Sequence, residues 1–265
     1  MYNWKTVLLT IVALVGVKIW SPYLIDNVRW SYFDVLHETK EKEHVEDILL
    51  VNIDEKSIEK YGQYPFPRDI YADTLWETHH SNTHVFNILF AEPDRFGGDE
   101  VFANALENRL TILSSAPTIQ KETGNAPFVN TSVFGGGNIQ DHVWNFSGLV
   151  SPIPQLQNSA WGMGVTVATP SVANTPNFDG TTRSVPLVIQ ANGQLYPSLG
   201  FETLRAFYDQ PNYQTRVTQD AGIEWVKMGR GKPIQTTSSG DLMVSYWNHF
   251  DSISFADLKE SDIQN

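Results

Sequence analysis

Residues Asp47 to Asp94 read D-I-L-L-V-N-I-D-E-K-S-I-E-K-Y-G-Q-Y-P-F-P-R-D-I-Y-A-D-T-L-W-E-T-H-H-S-N-T-H-V-F-N-I-L-F-A-E-P-D. Ile48 to Ile53 is an aliphatic, β-branched run of strand length, the pattern of a strand buried on both faces. Asp54 follows at its carboxyl end, where it can cap a helix over Glu55–Tyr61, and Gly62 suits the end of that helix. In Tyr64-Pro65-Phe66-Pro67-Arg68 the two prolines fix φ and push the residues before them out of the helical region. Asp69 opens a second helix to about His80, with Ile70, Leu75 and Trp76 as core candidates. Val85 to Phe90 reads as the next strand. The β–α–β order predicts that it pairs parallel to the first, through a right-handed crossover.

The rest of the chain extends this α/β pattern. A helix is predicted over Asp99–Asn108 and a strand over Leu110–Leu113. Pro117 to Asn138, rich in Gly, Pro, Asn and Thr, reads as a long surface loop or lid. Pro152 to Asn158 suits a short helix. Glycines alternate with apolar residues from Trp161 to Ala168, the mark of a strand approached closely by other backbone. Asn177 to Gly180 is a turn signal and Arg183 to Gln190 a returning strand. Asn192-Gly193 suits a type I′ turn into Gln194–Tyr196. Pro197 to Tyr208 reads as an amphipathic helix with Leu199, Phe201, Leu204 and Phe207 on its apolar face. Ile223–Met228 and Asp241–Trp247 read as strands, and Ser254–Ser261 as a weak terminal helix. No repeat and no clear linker interrupts residues 47–265. They are predicted to form one α/β domain, incomplete at its C-terminus, with a mixed, partly parallel sheet flanked by helices.

With 265 residues and 41% hydrophobic composition, the chain can bury a substantial core. A net charge of −12 works against nucleic acid and anionic lipid surfaces as ligands. The absence of cysteine removes disulfides, thiolate metal sites and cysteine nucleophiles. Thr6 to Val17 is uncharged and mostly aliphatic, and counting on to Ile25 gives about 20 residues if Lys18 snorkels. Trp4 and Trp20 stand where interfacial aromatics belong. A cleaved signal peptide competes with this reading, but no small-x-small cleavage site precedes Asp26. Residues 6–25 are therefore expected to be a transmembrane signal anchor. Residues 1–5 would be cytoplasmic, 26–46 a juxtamembrane helix and linker, and the main domain periplasmic or extracellular.

Asp54, Asn87, Glu92 and Asp94 fall at strand ends, and ligands of open α/β sheets bind at that edge. Arg68, after the proline turn, can reach the same edge. These five residues are candidates for a polar small-ligand site with Arg68 as an anion clamp. The competing and preferred reading is a structural network in which Arg68 pairs with Asp54 or Glu92, because buried charges must be paired. His80 and His84 have helical i, i+4 spacing that would suit zinc, but Asn82 and Thr83 predict that the helix ends first. Ser114-Ser115 and Gly135-Gly136-Gly137 lack the context of a nucleophile elbow or a phosphate loop. Acid–base chemistry by Asp54 with Asp94 has no specific support. Neither metal nor cofactor is expected, and Trp144, Trp161, Trp225 and Trp247 read as core or oligomer contacts.

Four segments together resemble a known family. They are V-N-I-D-E-K-S-I-E-K-Y-G-Q-Y-P-F-P-R-D-I-Y-A-D-T-L from Val51, F-N-I-L-F-A-E-P-D from Phe86, D-G-T-T-R-S-V-P-L-V-I from Asp179 and L-Y-P-S-L-G-F-E-T-L from Leu195. In this order they resemble the type-two CHASE domain, the cyclase/histidine-kinase-associated sensory extracellular domain, over roughly Val28 to Leu258. The resemblance implies the sensor of a bacterial transmembrane signalling receptor, not an enzyme, with the output domain absent from this chain. A homo-oligomer or a membrane partner protein, and an unknown small ligand, would be its partners. A stand-alone, membrane-anchored surface assembly or structural subunit on the same fold is the alternative. The chain departs from the family pattern at Tyr64 and Phe66, where Trp is frequent. It also departs at Asn87, where Asp is usual, which weakens any metal-centred reading of the strand ends.

Overall fold

The computed structural model describes residues 3–20, 22–39, 44–120, 131–167, 181–244, 246 and 249–258. They form two compact units. The first comprises residues 1–48, 170–183 and 244–251, and the second residues 49–169, 184–243 and 252–265.

In the first unit, helix α1 spans Trp4–Trp20 and helix α2 spans Pro22–Glu38. The expected anchor over residues 6–25 falls on α1 and the start of α2, and residue 21 between them lies outside the described residues. Among the described residues no helix is long and apolar enough to cross a membrane. The 17 residues of α1 rise about 26 Å, against about 30 Å of hydrocarbon. Leu8, Leu9, Ile11, Val12, Leu14 and Val15 are all exposed on it. Helix α2 is held by Asp34, which accepts from Arg183 Nε at 3.0 Å and Nη2 at 2.8 Å. Arg183 is buried and also lies over Trp30, 5.5 Å from its ring centre.

Strand β1 (His44–Asn52) and strand β15 (His249–Ser254) form a two-stranded ladder. Ile48, Leu50 and Val51 are exposed on β1, contrary to the fully buried strand expected there. Among the described residues β15 is its single partner strand. The expected parallel pairing with the next strand is also absent. That strand, β2 (His84–Phe86), is only three residues long and pairs parallel with β3 (Thr111–Thr118).

The second unit begins with α3 (Glu55–Tyr61) and α4 (Arg68–Glu77). Asp54 caps α3 with a reciprocal capping box through Ser57, and Gly62 ends it at φ +91°. After β2 come α5 (Asp99–Glu107) and β3. Strand β4 (Thr131–Phe134) lies in the stretch expected to be loop and pairs parallel with β11 (Tyr213–Thr218). Residues 121–130 of that stretch, the Asn177–Gly180 turn and residues 259–265 lie outside the described residues. Next are β5 (Asn145–Phe146), β6 (Gly148–Val150), α6 (Pro154–Ser159) and β7 (Gly162–Val165). The returning strand is split into β8 (Ser184–Pro186) and β9 (Val188–Ala191), which belong to different sheets. Asn192 (φ +50°) and Gly193 (φ +76°) turn β9 into β10 (Gln194–Pro197), as expected. The chain continues through α7 (Leu199–Phe207), β11 (Tyr213–Thr218), β12 (Gly222–Met228), β13 (Ile234–Gln235) and β14 (Asp241–Met243). The expected terminal helix is replaced at its start by the end of β15 and a turn at residues 255–257.

The parallel core of this mixed sheet is β2–β3–β7. One face packs on Tyr71, Leu75, Phe90, Phe102 and Leu106, which share a cluster with Leu113 and Val165. A second cluster joins Phe201 of α7 to Tyr213, Val217, Ile223 and Val226. Strand β9 serves both: Ile189 and Ala191 belong to the first cluster and Val188 to the second. Such double burial fits the continuous apolar run in Val188–Ile189.

Candidate functional site

Helix α4 starts at Arg68, and the N-cap residue Pro67 has no side chain able to accept a hydrogen bond. Asp94 supplies the acceptor from elsewhere. Its Oδ2 receives the N–H of Arg68 at 3.0 Å and of Gly98 at 3.0 Å, and its Oδ1 receives that of Phe96 at 3.2 Å. Asp94 donates its own N–H to Asp99 Oδ2 at 2.8 Å, at the start of α5. One carboxylate thus ties the first turns of two helices. Gly98 is required by this closeness: a Cβ there would lie 2.9 Å from both Asp69 N and Asp94 Oδ2.

The Arg68 side chain is 7% exposed. Its guanidinium lies over Phe90, 4.4 Å from the ring centre, and Nη2 donates to the Glu92 carbonyl at 3.2 Å. Its Nε faces Asp99 Oδ1 at 3.6 Å, an ion pair rather than a hydrogen bond. Glu92 contributes only its backbone here. Its carboxylate is exposed and has no hydrogen-bond or ion-pair partner among the described residues. Removing the side chain with Arg68→Ala should cost about 2–3 kcal/mol, since it strands the Glu92 carbonyl and the Asp99 charge and uncovers Phe90. A urea midpoint unchanged from the parent would exclude this anchoring role.

The other two candidates lie in separate hydrogen-bond groups. Asp54 Oδ1 accepts from Ser57 N at 3.0 Å, Ser57 Oγ at 2.8 Å and Ser254 Oγ at 2.7 Å. Asn87 is exposed and accepts from Thr166 Oγ1 at 2.9 Å, and Thr166 in turn meets Ser114 Oγ at 2.6 Å. The structure therefore brings Arg68, the Glu92 backbone and Asp94 together, adds Asp99, and leaves Asp54 and Asn87 with other partners.

Ser254 and then Ser57 hold the Asp54 carboxyl below its ordinary range. For Asp94, burial pushes upward, but the N–H groups of Arg68, Phe96 and Gly98 together prevail and hold it below the ordinary 3.8. A carboxylate whose folded pKa is depressed stabilises above its unfolded pKa and loses that contribution as pH falls through the folded value. Stability should therefore decline as pH drops below about 4. Asp94→Asn should show a shallower acid limb than the parent in melts between pH 5 and 2, and equal limbs would count against this assignment.

The histidine spacing does not survive as a helical pair, because α4 ends at Glu77 and His84 opens β2. His84 Nε2 meets Thr78 Oγ1 at 2.8 Å, and burial lowers the imidazole pKa. Among the described residues no group of His, Asp and Glu has metal-binding geometry. The triple glycine marks a close strand crossing: a Cβ on Gly135 would lie 2.3 Å from the Val217 carbonyl oxygen.

Sequence reading missed the most buried charges. Glu202 is 1% exposed and Arg205 is 7% exposed on α7. Arg205 Nε and Nη2 donate to the two Glu202 oxygens at 2.7 Å each, and Nη1 donates to the Gln210 carbonyl at 2.5 Å. The guanidinium lies 4.8 Å from the Trp161 ring centre. Leu204 and Phe207, expected in the core, are exposed instead. The i, i+3 spacing of Glu202 and Arg205 was the available signal. Asp241, also buried, accepts from Trp144 Nε1 at 3.0 Å. Trp247 lies outside the described residues.

The assembly of helix caps, buried ion pairs and a mixed sheet defines an α/β domain whose charged residues hold backbone together. The CHASE2 domain model matches residues 7–265, and the chain belongs to this family of extracellular sensory domains of signalling receptors. No curated protein and no solved structure gives a significant match to the chain.

Proposed function

We propose that this chain is the extracytoplasmic sensor of a bacterial transmembrane signalling receptor, held at the inner membrane through α1. The observation that carries the reading is the family match over essentially the whole chain. The apolar residues exposed on α1 support the membrane part, since an exposed apolar helix face favours a lipid environment. Lys5 on the short side supports a cytoplasmic N-terminus. Of the five candidate residues, Glu92 and Asn87 face solvent and are the ones we assign to ligand contact. Arg68 holds the Glu92 backbone and Thr166 holds Asn87, and these contacts form the frame around them. Signalling requires a ligand that binds two states of this frame unequally.

The test is a pair of reporters fused after residue 258 and expressed in a Gram-negative host. Alkaline phosphatase should be active and green fluorescent protein dark, with the fusion in the membrane fraction. The reverse pattern would overturn the extracytoplasmic placement. Leu9→Lys with Val12→Lys should release the protein from the membrane fraction, and retention in it would overturn anchoring by α1.

A further inference from the structure

Beyond β15 the chain turns back over α3. Ser254 Oγ donates to Asp54 Oδ1 at 2.7 Å, and the Phe255 N–H donates to the Asn52 carbonyl at 2.8 Å. Lys60 Nζ donates to the Ala256 carbonyl at 2.6 Å, and Lys56 pairs with Asp257. Between these polar contacts the Phe255 ring is buried. It stacks on Phe66 at 6.1 Å between centres and meets Tyr61 at 5.6 Å and Tyr71 at 5.7 Å. Four successive residues thus cover the capped helix and the aromatic residues of the proline turn.

The attachment is lopsided. Phe255 and Ala256 are buried, while the Lys56–Asp257 pair is open to water on both sides and contributes little. Among the described residues, strand β15 has only β1 beside it. The sheet of β11 and β12, by contrast, pairs along six positions of β11 and buries Tyr213, Thr215 and Val217. Segments with few buried apolar contacts and exposed hydrogen bonds open at lower free energy than the core.

We propose that residues 254–257 form a releasable strap, closed over α3 and the Tyr61–Phe66–Tyr71 surface, which opens as a unit while the sheets behind it stay folded. Asp54 is its polar catch and Phe255 its plug. Opening uncovers three aromatic rings and frees one oxygen of the α3 cap from Ser254. The strap goes beyond the sensory reading and does not depend on it, because its opening is a property of this chain alone.

Native-state hydrogen exchange on the full chain tests it. The Phe255 amide, which is bonded to Asn52, should be protected at least about tenfold less than the amides of β11 and should exchange with little dependence on low urea. Ser254→Ala should lower Phe255 protection several-fold and leave β11 unchanged. Phe255→Ala should do the same more strongly, and if that variant does not fold, the parent and Ser254→Ala still decide. Equal protection and equal urea dependence at Phe255 and in β11 would overturn the strap, as would a Ser254→Ala loss shared by both.

Discussion

Replacing Arg205 with alanine is expected to lower stability by about 3–5 kcal/mol, the usual cost of leaving a buried charge without its partner. Glu202 would keep both oxygens inside the second unit and lose two charge-assisted hydrogen bonds, while the Gln210 carbonyl would lose its donor. Trp161 would lose the guanidinium from its face. Burial already pushes the Glu202 carboxyl up, and Arg205 is what opposes it. Without Arg205 the folded pKa rises further above the unfolded value, so the folded state takes up a proton. A raised carboxylate loses stability as pH climbs from the unfolded to the folded value. The Arg205→Ala deficit should therefore be larger at pH 8 than at pH 5. Exchanging both residues for methionine should recover most of it, because an apolar pair asks for no compensation. A loss below about 1 kcal/mol at both pH values would mean that the pair is hydrated, contrary to its burial.

Gly164→Ala is expected to be nearly as damaging, at about 3 kcal/mol, and for a purely steric reason. A Cβ at Gly164 would lie 2.4 Å from Leu199 Cα and 2.8 Å from Leu199 N. Both are backbone atoms of the first turn of α7, so no side-chain rotation relieves the clash. The helix must move off β7. Gly200, one residue into the same helix, has open space around its Cβ direction. Gly200→Ala should be neutral or stabilising by about 0.5–1 kcal/mol, since alanine favours helix over glycine. Thermal melts of the two variants side by side separate close packing from backbone freedom. If both alanines cost the same, the tight β7–α7 approach is not the cause.

Where the determinants are local, the sequence reading matches the structure. Asp54 and Gly62 flank one short helix, and the cap and terminator read from them are the ones formed. Asn192-Gly193 needs only its own backbone preference to define a hairpin. The glycines from Trp161 onward signalled a close approach, although nothing in them named α7 as the neighbour. The failures involve distant partners. The apolar character of Ile48–Ile53 suggests burial, but the strand that joins it is the distant β15 and Ile48, Leu50 and Val51 stay exposed. In α7 two faces competed, one carrying Leu204 and Phe207 and the other Glu202 and Arg205. Hydrophobicity favoured the first, whereas the mutual neutralisation of Glu202 and Arg205 let the second go inside. Strand β11, with Tyr213, Thr215 and Val217 inward, had the alternation of a half-buried strand but stood among polar residues that masked it. At the candidate site the residue types were legible and their roles were not. Asp94 caps two helices through backbone N–H groups, which no side-chain pattern records.

The pairing of β1 with β15 also bears on how the chain is made. Asp54 and Ser254 are separated by 200 positions. At about 5–20 residues per second, synthesis takes roughly 10 to 40 s to deliver the second after the first. Throughout that interval Ile48, Leu50 and Val51 sit on a strand with no neighbour to bond. An apolar, unpaired strand edge is the kind of surface that nascent chains must shield from one another. β15 completes β1 only after that delay, so a folding helper for this protein would act on β1.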